Sequence, residues 1–510
     1  MLVGRALLAE RQTVDDVFIF LRYARNLVEH GRYAFNPGGP GIPVEGTSSV
    51  LWTLVLAAAW RAGWRGLGTA KLVSLVAGAL VPATCAVAVR RAVPGRPLLA
   101  AVPALALALD ADLATWSASG MDTAVWTLAC AGVVVLASRP ALAAVALGAL
   151  AWVRPEGPLL AALGVVALSR DRKTLVRLAL LAAAPVAVLT LGRLAYFHAA
   201  VPNTFWAKMN AVDGKDYTGL GYVGSALMRR PLLLLFAPAA ALALRARIAL
   251  GPAARLALAL LAGSLLFALL AGGDWMPDRR LLVVALPLAA VVAAITLAGA
   301  GSRLFALATC AALALEAGLT VDRTSDQTWR THEWLDQRVV RWTVSGHPFR
   351  DPYWLDWMPT HLLQRISPFV APGDTVAHVD VGELPYVMDD VAFLDGFGLV
   401  DREAGRLAFS PRDPVLREAA REAFFAAHPA VAIVVLDEAT GHPFSPAQDA
   451  VLADPRFAAG WREQARVPTW GNHPCVTYVR RDIVPVERAQ ALARMNAWLA
   501  RVKDVQALQD

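Results

Sequence analysis

The chain has 510 residues, 57% of them hydrophobic and 17% charged, against roughly 45–50% and 25% in soluble globular chains. That excess excludes a wholly soluble enzyme, a disordered tail protein and a disulfide scaffold. The formal net charge of +7 is carried almost entirely by Arg that flanks apolar blocks, where it orients membrane helices rather than binding nucleic acid. The four cysteines form no CxxC pair, so neither a zinc site nor a disulfide framework is supported.

Residues 1–14 contain no spanning segment and no apolar core of a signal peptide. The block Val50–Trp60 is short and reads as a re-entrant or interfacial helix. Ten apolar blocks follow, near 71–89, 98–112, 121–137, 140–153, 157–169, 178–197, 231–244, 253–271, 281–299 and 303–320. Basic residues sort the connecting loops. Arg90, Arg91 and Arg96 follow one block, Arg170, Arg172, Lys173 and Arg177 another, and Arg245, Arg247 and Arg255 a third. The positive-inside rule puts these loops in the cytoplasm. Four segments then share the opposite face: Asp110 to Asp122, Arg154 to Gly157, Pro202 to Asp216 and Gly272 to Arg280. The tail follows them outside. The same parity leaves the N-terminal loop outside with no helix to carry it there, so the expectation is that a first transmembrane helix is missing.

The tail returns to soluble composition. Thr375–Val381, Ala430–Leu436 and Cys475–Val479 read as Val-rich strands. Residues 414–427 and 485–502 between and after them read as helical. The expected organisation has an outer-face loop with interfacial helices over 1–69, a transmembrane helical domain over 70–320 and an extracytoplasmic soluble α/β domain over 321–510.

The first chemical candidate is the pair Asp15-Asp16 ahead of the amphipathic run Val17–Leu27. A single Asp is sufficient as a helix cap. A second one adds like-charge repulsion, and such pairs serve as a general base, a metal site or both.

The wording of the whole stretch goes further. Asp15-Asp-Val-Phe-Ile-Phe-Leu-Arg-Tyr-Ala-Arg-Asn, Phe35-Asn-Pro-Gly and Val44-Glu-Gly-Thr-Ser-Ser resemble the front of bacterial C-type (GT-C) glycosyltransferases. Within that superfamily the likeness is strongest to the mycobacterial-type terminal arabinofuranosyltransferases. It continues at Ser119-Gly-Met-Asp-Thr, Arg154-Pro-Glu-Gly, Val201-Pro-Asn-Thr-Phe-Trp-Ala-Lys, Gly272-Gly-Asp-Trp-Met and Asp380-Val-Gly-Glu-Leu-Pro-Tyr. The resemblance implies a sugar donor on a polyprenyl phosphate and transfer outside the cytoplasmic membrane, with Asp15 or Asp16 as the catalytic base. Two departures stand out. The family's transmembrane helix directly before the acidic pair is absent, and Asp122 stands where the family carries a longer carboxylate.

The chemistry agrees. An acceptor hydroxyl must lose its proton as it attacks the anomeric carbon, and a carboxylate can take it. The leaving phosphate is stable as an anion, so cations rather than a strong acid should receive it. Arg154, Lys208, Arg279 and Arg280 are the outer-face cations, and Arg22 and Arg25 are additional candidates; interfacial snorkelling is the bland alternative for each. Glu45, Asp122, Glu156, Asn203, Asp274 and Trp275 are candidates for the sugar or acceptor. Arg154 with Glu156 reads equally as a structural ion pair, and Asn203 after Pro202 as an Asx turn. Asp110 and Asp112 close a membrane segment as caps.

Paired Asp with another acidic loop is compatible with Mg²⁺ or Mn²⁺, but no spacing demands a metal. HExxH, GxxxxGK[ST] and GxSxG motifs are absent from the sequence. The reading is an inverting membrane glycosyltransferase of the cytoplasmic membrane, with a lipid-linked donor and a glycan or protein acceptor. Its rivals are a flippase for lipid-linked sugar and an inactive membrane paralogue. A flippase calls for charges inside the apolar blocks and a pseudo-repeat. The blocks are nearly free of internal charge, with Arg193 and Glu316, both near an end, as exceptions.

Overall fold

The computed structural model describes residues 2–3, 13–38, 42–209, 219–234, 251–274, 276–300, 306–312, 362–437, 440–468 and 474–500. The chain forms two compact units. One comprises Met1–Gln12, Ala70–Leu191 and Lys215–Ser345; the other comprises Thr13–Thr69, Gly192–Gly214 and Gly346–Asp510.

The first unit is helical. Among the described residues four helices are long and apolar enough to cross a membrane: Gly66–Ala92, Arg172–Phe197, Pro252–Leu270 and Arg279–Gly299. A fifth candidate is the pair Pro97–Ala108 and Ala111–Ala118, bent by 62°. The bend falls where Asp110 turns extended and its carboxylate caps the second helix by accepting the Leu113 N–H. Three apolar blocks become helices of only 13, 14 and 12 residues: Thr123–Val135, Pro140–Val153 and Gly157–Leu168. At about 1.5 Å per residue each falls short of a hydrocarbon core of roughly 30 Å. Prolines at 140 and 155 make these breaks, because proline and the residue before it resist helix continuation. The ten blocks therefore do not map one to one onto spans, and the blocks at 231–244 and 303–320 extend beyond the described residues.

Small residues set the packing of this unit. Pro140–Val153 lies against Gly157–Leu168, which lies against Pro252–Leu270. Gly148 sits where an added Cβ would overlap the Ala182 carbonyl, so only glycine permits that helix approach. The Arg279–Gly299 span is 89% buried inside the protein and Arg172–Phe197 only 17%. The outer helix leaves Leu180, Val188 and Leu191 exposed, as helices facing lipid do.

In the second unit the helix Asp16–Glu29 is buried at every position from Val17 to Asn26. Its buried run contains Arg22 and Arg25 as well as apolar residues, which signals internal partners for both charges. Val50–Arg61, too short to span a bilayer, is capped by Ser49, whose Oγ accepts the Trp52 N–H at 3.2 Å.

The tail carries a five-stranded sheet built from β1 (Thr375–His378), β2 (Ala392–Asp395), β3 (Val431–Val435), β4 (Trp461–Pro468) and β5 (Pro474–Arg480), in the order β2-β1-β3-β5-β4. β1 runs parallel to β2 and β3, while β5 runs antiparallel to β3 and β4. β1 and β3 are Val-, Ala- and Ile-rich because both their faces are covered. One face packs on Phe424, Val451, Phe457 and Trp461, and the Trp461 indole donates to the Pro429 carbonyl at 3.0 Å. The helix Pro414–Ala427 starts at Asp413, whose carboxylate accepts the Val415 and Leu416 N–H groups. Arg488–Leu499 is the last described helix.

Candidate active site

The acidic pair begins the Asp16–Glu29 helix, and the two carboxyls have different surroundings. Asp15 accepts the Glu383 N–H at 2.7 Å. Burial first, and then the Asp380 charge, hold its pKa well above the usual carboxylate range. The approach requires glycine at 382, because a Cβ there would overlap the Asp15 carboxyl. Asp16 Oδ2 instead lies 3.6 Å from Lys208 Nζ, with the Lys208 side chain 37% exposed and that of Asp16 17%.

The same helix is tied to the tail segment 385–391. Each of the five N–H groups of the Arg22 guanidinium has an acceptor. Nε donates to Phe35 O at 2.8 Å, Nη1 to the Pro385 and Met388 carbonyls, and Nη2 to Val391 O at 2.9 Å and Asn36 Oδ1 at 3.3 Å. Burial, then the neighbouring Arg25 charge, push the Arg22 pKa down to about 9. Arg22 was expected among the phosphate-binding cations; its fork is already filled by protein acceptors, which leaves no donor for a phosphate. Arg25 pairs with Asp389 at 3.1 Å and donates to Tyr386 O at 3.3 Å. The Phe18 and Tyr386 rings lie 5.3 Å apart.

Two residues expected at the sugar or acceptor are occupied by protein groups. Glu45 is buried and accepts a two-pronged bond from Arg193, at 2.7 and 2.8 Å. Asn203 donates to the carbonyls of Gly398 and Asp401, each at 2.7 Å, and its own N–H reaches Glu45 O at 2.8 Å. These contacts hold three loops of the second unit together.

The remaining predicted residues lie in the first unit. Arg154 bridges Glu156 at 2.6 Å and Asp122 at 3.3 Å, all three buried. Asp122 Oδ2 and Glu156 Oε2 are buried without a hydrogen-bond partner among the described residues. Arg280 pairs with Asp274 at 2.7 Å and stands over the Trp116 ring. Arg279 donates to Ser225 Oγ at 2.6 Å and faces the Tyr222 ring. Asp112 is held by Arg230. Trp275 lies outside the described residues. Among the described residues no three His, Cys, Asp or Glu side chains converge as metal ligands would.

Reading along the sequence missed the partners that complete these clusters: Arg193, Asp389 and the segment around Asp380. Arg193 looked like a charge at a helix end.

A family described as a domain of unknown function (DUF8728) matches residues 355–486. No curated protein matches the chain. The fold is similar to the crystal structure of ArnT from Cupriavidus metallidurans bound to undecaprenyl phosphate. The TM-score is 0.54 at 12% identity, over 95% of this chain and 98% of that one. The architecture is thus a polytopic, mostly helical fold with several apolar candidate spans, similar to that of ArnT, and a C-terminal region that carries a small sheet.

Proposed function

We propose that the protein is a membrane glycosyltransferase that moves a sugar from a polyprenyl-phosphate donor to a glycan or protein acceptor outside the cytoplasmic membrane. The observation that carries this is the Asp16–Lys208 pair. Among the cations expected to meet the donor phosphate, Arg22, Arg154, Arg279 and Arg280 are buried and engaged by protein groups. Lys208 is part-exposed and, among the described residues, holds a single carboxylate 3.6 Å away. A carboxylate to take a proton and a movable cation to take a phosphate are the two groups that the transfer needs.

In the step proposed, the acceptor oxygen attacks the anomeric carbon while Asp16 takes the hydroxyl proton. The bond from that carbon to the phosphate oxygen breaks, and the polyprenyl phosphate leaves as an anion beside Lys208. Attack opposite the leaving group inverts the anomeric configuration. Likeness in fold to a protein crystallised with undecaprenyl phosphate supports a lipid-linked donor. Arabinofuranose, the sugar of the family that the sequence resembles, is the first to try.

The test supplies membranes containing the protein with polyprenyl-phospho-arabinofuranose and a glycan acceptor, and follows sugar transfer and anomeric configuration. Transfer with inversion that is abolished in Asp16→Asn is the expected result. No transfer from this or other polyprenyl-phospho-sugars by the wild type would remove the reading. A reporter fused after Asp510 should score extracytoplasmic.

A further inference from the structure

An edge strand presents a row of N–H and C=O groups with no neighbouring strand to take them, and burying such groups unmatched is costly. Among the described residues β2 is one edge of the sheet. Its Ala392 N–H bonds the Asp374 carbonyl, and the Gly396 N–H just beyond it bonds the His378 carbonyl, both on the β1 side. Backbone direction alternates along a strand, so the groups of Val391 and Phe393 turn outward, away from β1.

A side chain stands where a sixth strand would lie. Asn36 Nδ2 donates to Phe393 O at 2.7 Å, and Asn36 Oδ1 accepts the Phe393 N–H at 3.0 Å. One amide thus makes the two-way exchange that a backbone neighbour would make. Arg22 Nη2 fills the other outward carbonyl, Val391 O, at 2.9 Å and also donates to Asn36 Oδ1 at 3.3 Å. Only one orientation of the amide serves all three partners, with oxygen toward the two donors and nitrogen toward the carbonyl. The Arg22 guanidinium lies over the Phe35 ring at 4.6 Å and the Phe393 ring at 5.6 Å, which closes the apolar side of the joint.

The loop that carries Asn36 is in turn fastened to the helix that begins with the acidic pair. Asn26 Nδ2 donates to Ala34 O and Phe35 O, each at 2.9 Å, and Arg22 Nε donates to Phe35 O at 2.8 Å. Arg22 and Asn26 are buried one turn apart on that helix and so share a face. Helix, loop and sheet edge are joined in that order, and Asn36 is the link to the sheet.

We propose that Asn36 is a positioning residue: by taking the place of a strand at Phe393 it fixes the Asp16–Glu29 helix to the sheet edge and so fixes where Asp16 stands. Its effect on catalysis rests on the glycosyltransferase reading; the fastening itself does not. A base displaced by a fraction of its hydrogen-bond length loses rate steeply, so the joint governs turnover more than donor binding.

Asn36→Asp separates this role from simple filling of space. The two side chains have nearly the same shape, but a carboxylate turns an acceptor toward the Phe393 carbonyl where the amide turned a donor. A side chain that only filled space would tolerate the change.

The experiment uses the full chain in lipid nanodiscs, with Asn36→Ala and Asn36→Asp beside the wild type. In hydrogen-exchange mass spectrometry, segments 16–29 and 391–395 should exchange about tenfold or more faster in both variants, the weight of one hydrogen bond. Segment 474–480, on the far side of the sheet, should exchange as in the wild type. Unchanged exchange in both variants, or equal acceleration in all three segments, overturns the fastening. In the transfer assay with polyprenyl-phospho-arabinofuranose, both variants should lose about tenfold or more in kcat, while the donor concentration for half-maximal rate stays within about twofold. Wild-type kcat in Asn36→Asp, or a loss carried by donor concentration alone, overturns the positioning role. If the wild type transfers no sugar from any polyprenyl-phospho-sugar but the exchange pattern holds, the glycosyltransferase reading and the catalytic role of Asn36 fall together, and the fastening stands.

Discussion

In the membrane unit Asp112, Glu156 and Asp274 each meet a buried arginine, whereas in the second unit Asp15 meets a backbone N–H and Asp16 meets a part-exposed lysine. The first arrangement is built to stay. An arginine fork is permanently charged and directional, and removing either partner leaves an uncompensated charge in a dry site. The second arrangement can change. A lysine on a flexible stem can move to another anion. Charge that is fixed supports the fold; charge that can be exchanged is where proton transfer and phosphate binding belong. The second unit also contains a fixed pair, Arg193–Glu45, which supplies an internal control.

The sharpest break of this comparison is Asp16→Asn, which should lower the transfer rate by about 10²- to 10⁴-fold while the unfolding midpoint stays near that of the wild type. Next comes the control pair. Glu45→Gln leaves the largely covered Arg193, its side chain 10% exposed, without its counter-charge and should cost up to about 3 kcal/mol of stability, read by denaturant unfolding; a neutral result would show that the pair is dispensable. Arg22→Lys keeps the charge but loses the fork, leaving buried carbonyls of segment 385–391 without donors, at a cost of about 1–3 kcal/mol. Limited proteolysis in that segment should rise accordingly. Lys208→Ala should raise the donor concentration for half-maximal rate by about tenfold, the scale of one hydrogen bond to a charged group, with partial rescue by Lys208→Arg. At the bottom of the scale, Arg456→Ala removes exposed contacts to Glu422 and Asp454 and should leave activity and unfolding midpoint unmoved.

Much of the fold was legible because it rests on local pattern. The Val-rich runs at 375, 430 and 475 became β1, β3 and β5, and 414–427 became a helix with an Asp cap. β2 and β4 were not legible. β2 is four residues long, and β4, Trp-Arg-Glu-Gln-Ala-Arg-Val-Pro, is an edge strand whose charges suit an edge but hide the strand pattern. The apolar blocks were visible, but their division by prolines at 140 and 155 shortened several below a membrane span.

The candidate site was legible by residue type and not by partner. Asp15, Asp16 and Lys208 could be picked out from the sequence. That Asp15 would meet the Glu383 N–H, and Arg22 would meet Pro385 and Val391, depends on contacts across more than 360 residues of chain. Periodicity carries no information at that range. Glu45 and Asn203 are the instructive cases, since a polar residue in a loop looks the same whether it awaits a ligand or an Arg193.

The measurement that bears most directly on the central claim is a side-by-side transfer assay of Asp15→Asn and Asp16→Asn with a polyprenyl-phospho-sugar donor. The account predicts that Asp16→Asn is inactive while Asp15→Asn, which keeps an acceptor for the Glu383 N–H, loses less than about tenfold, the weight of one hydrogen bond. An active Asp16→Asn beside a dead Asp15→Asn would contradict it.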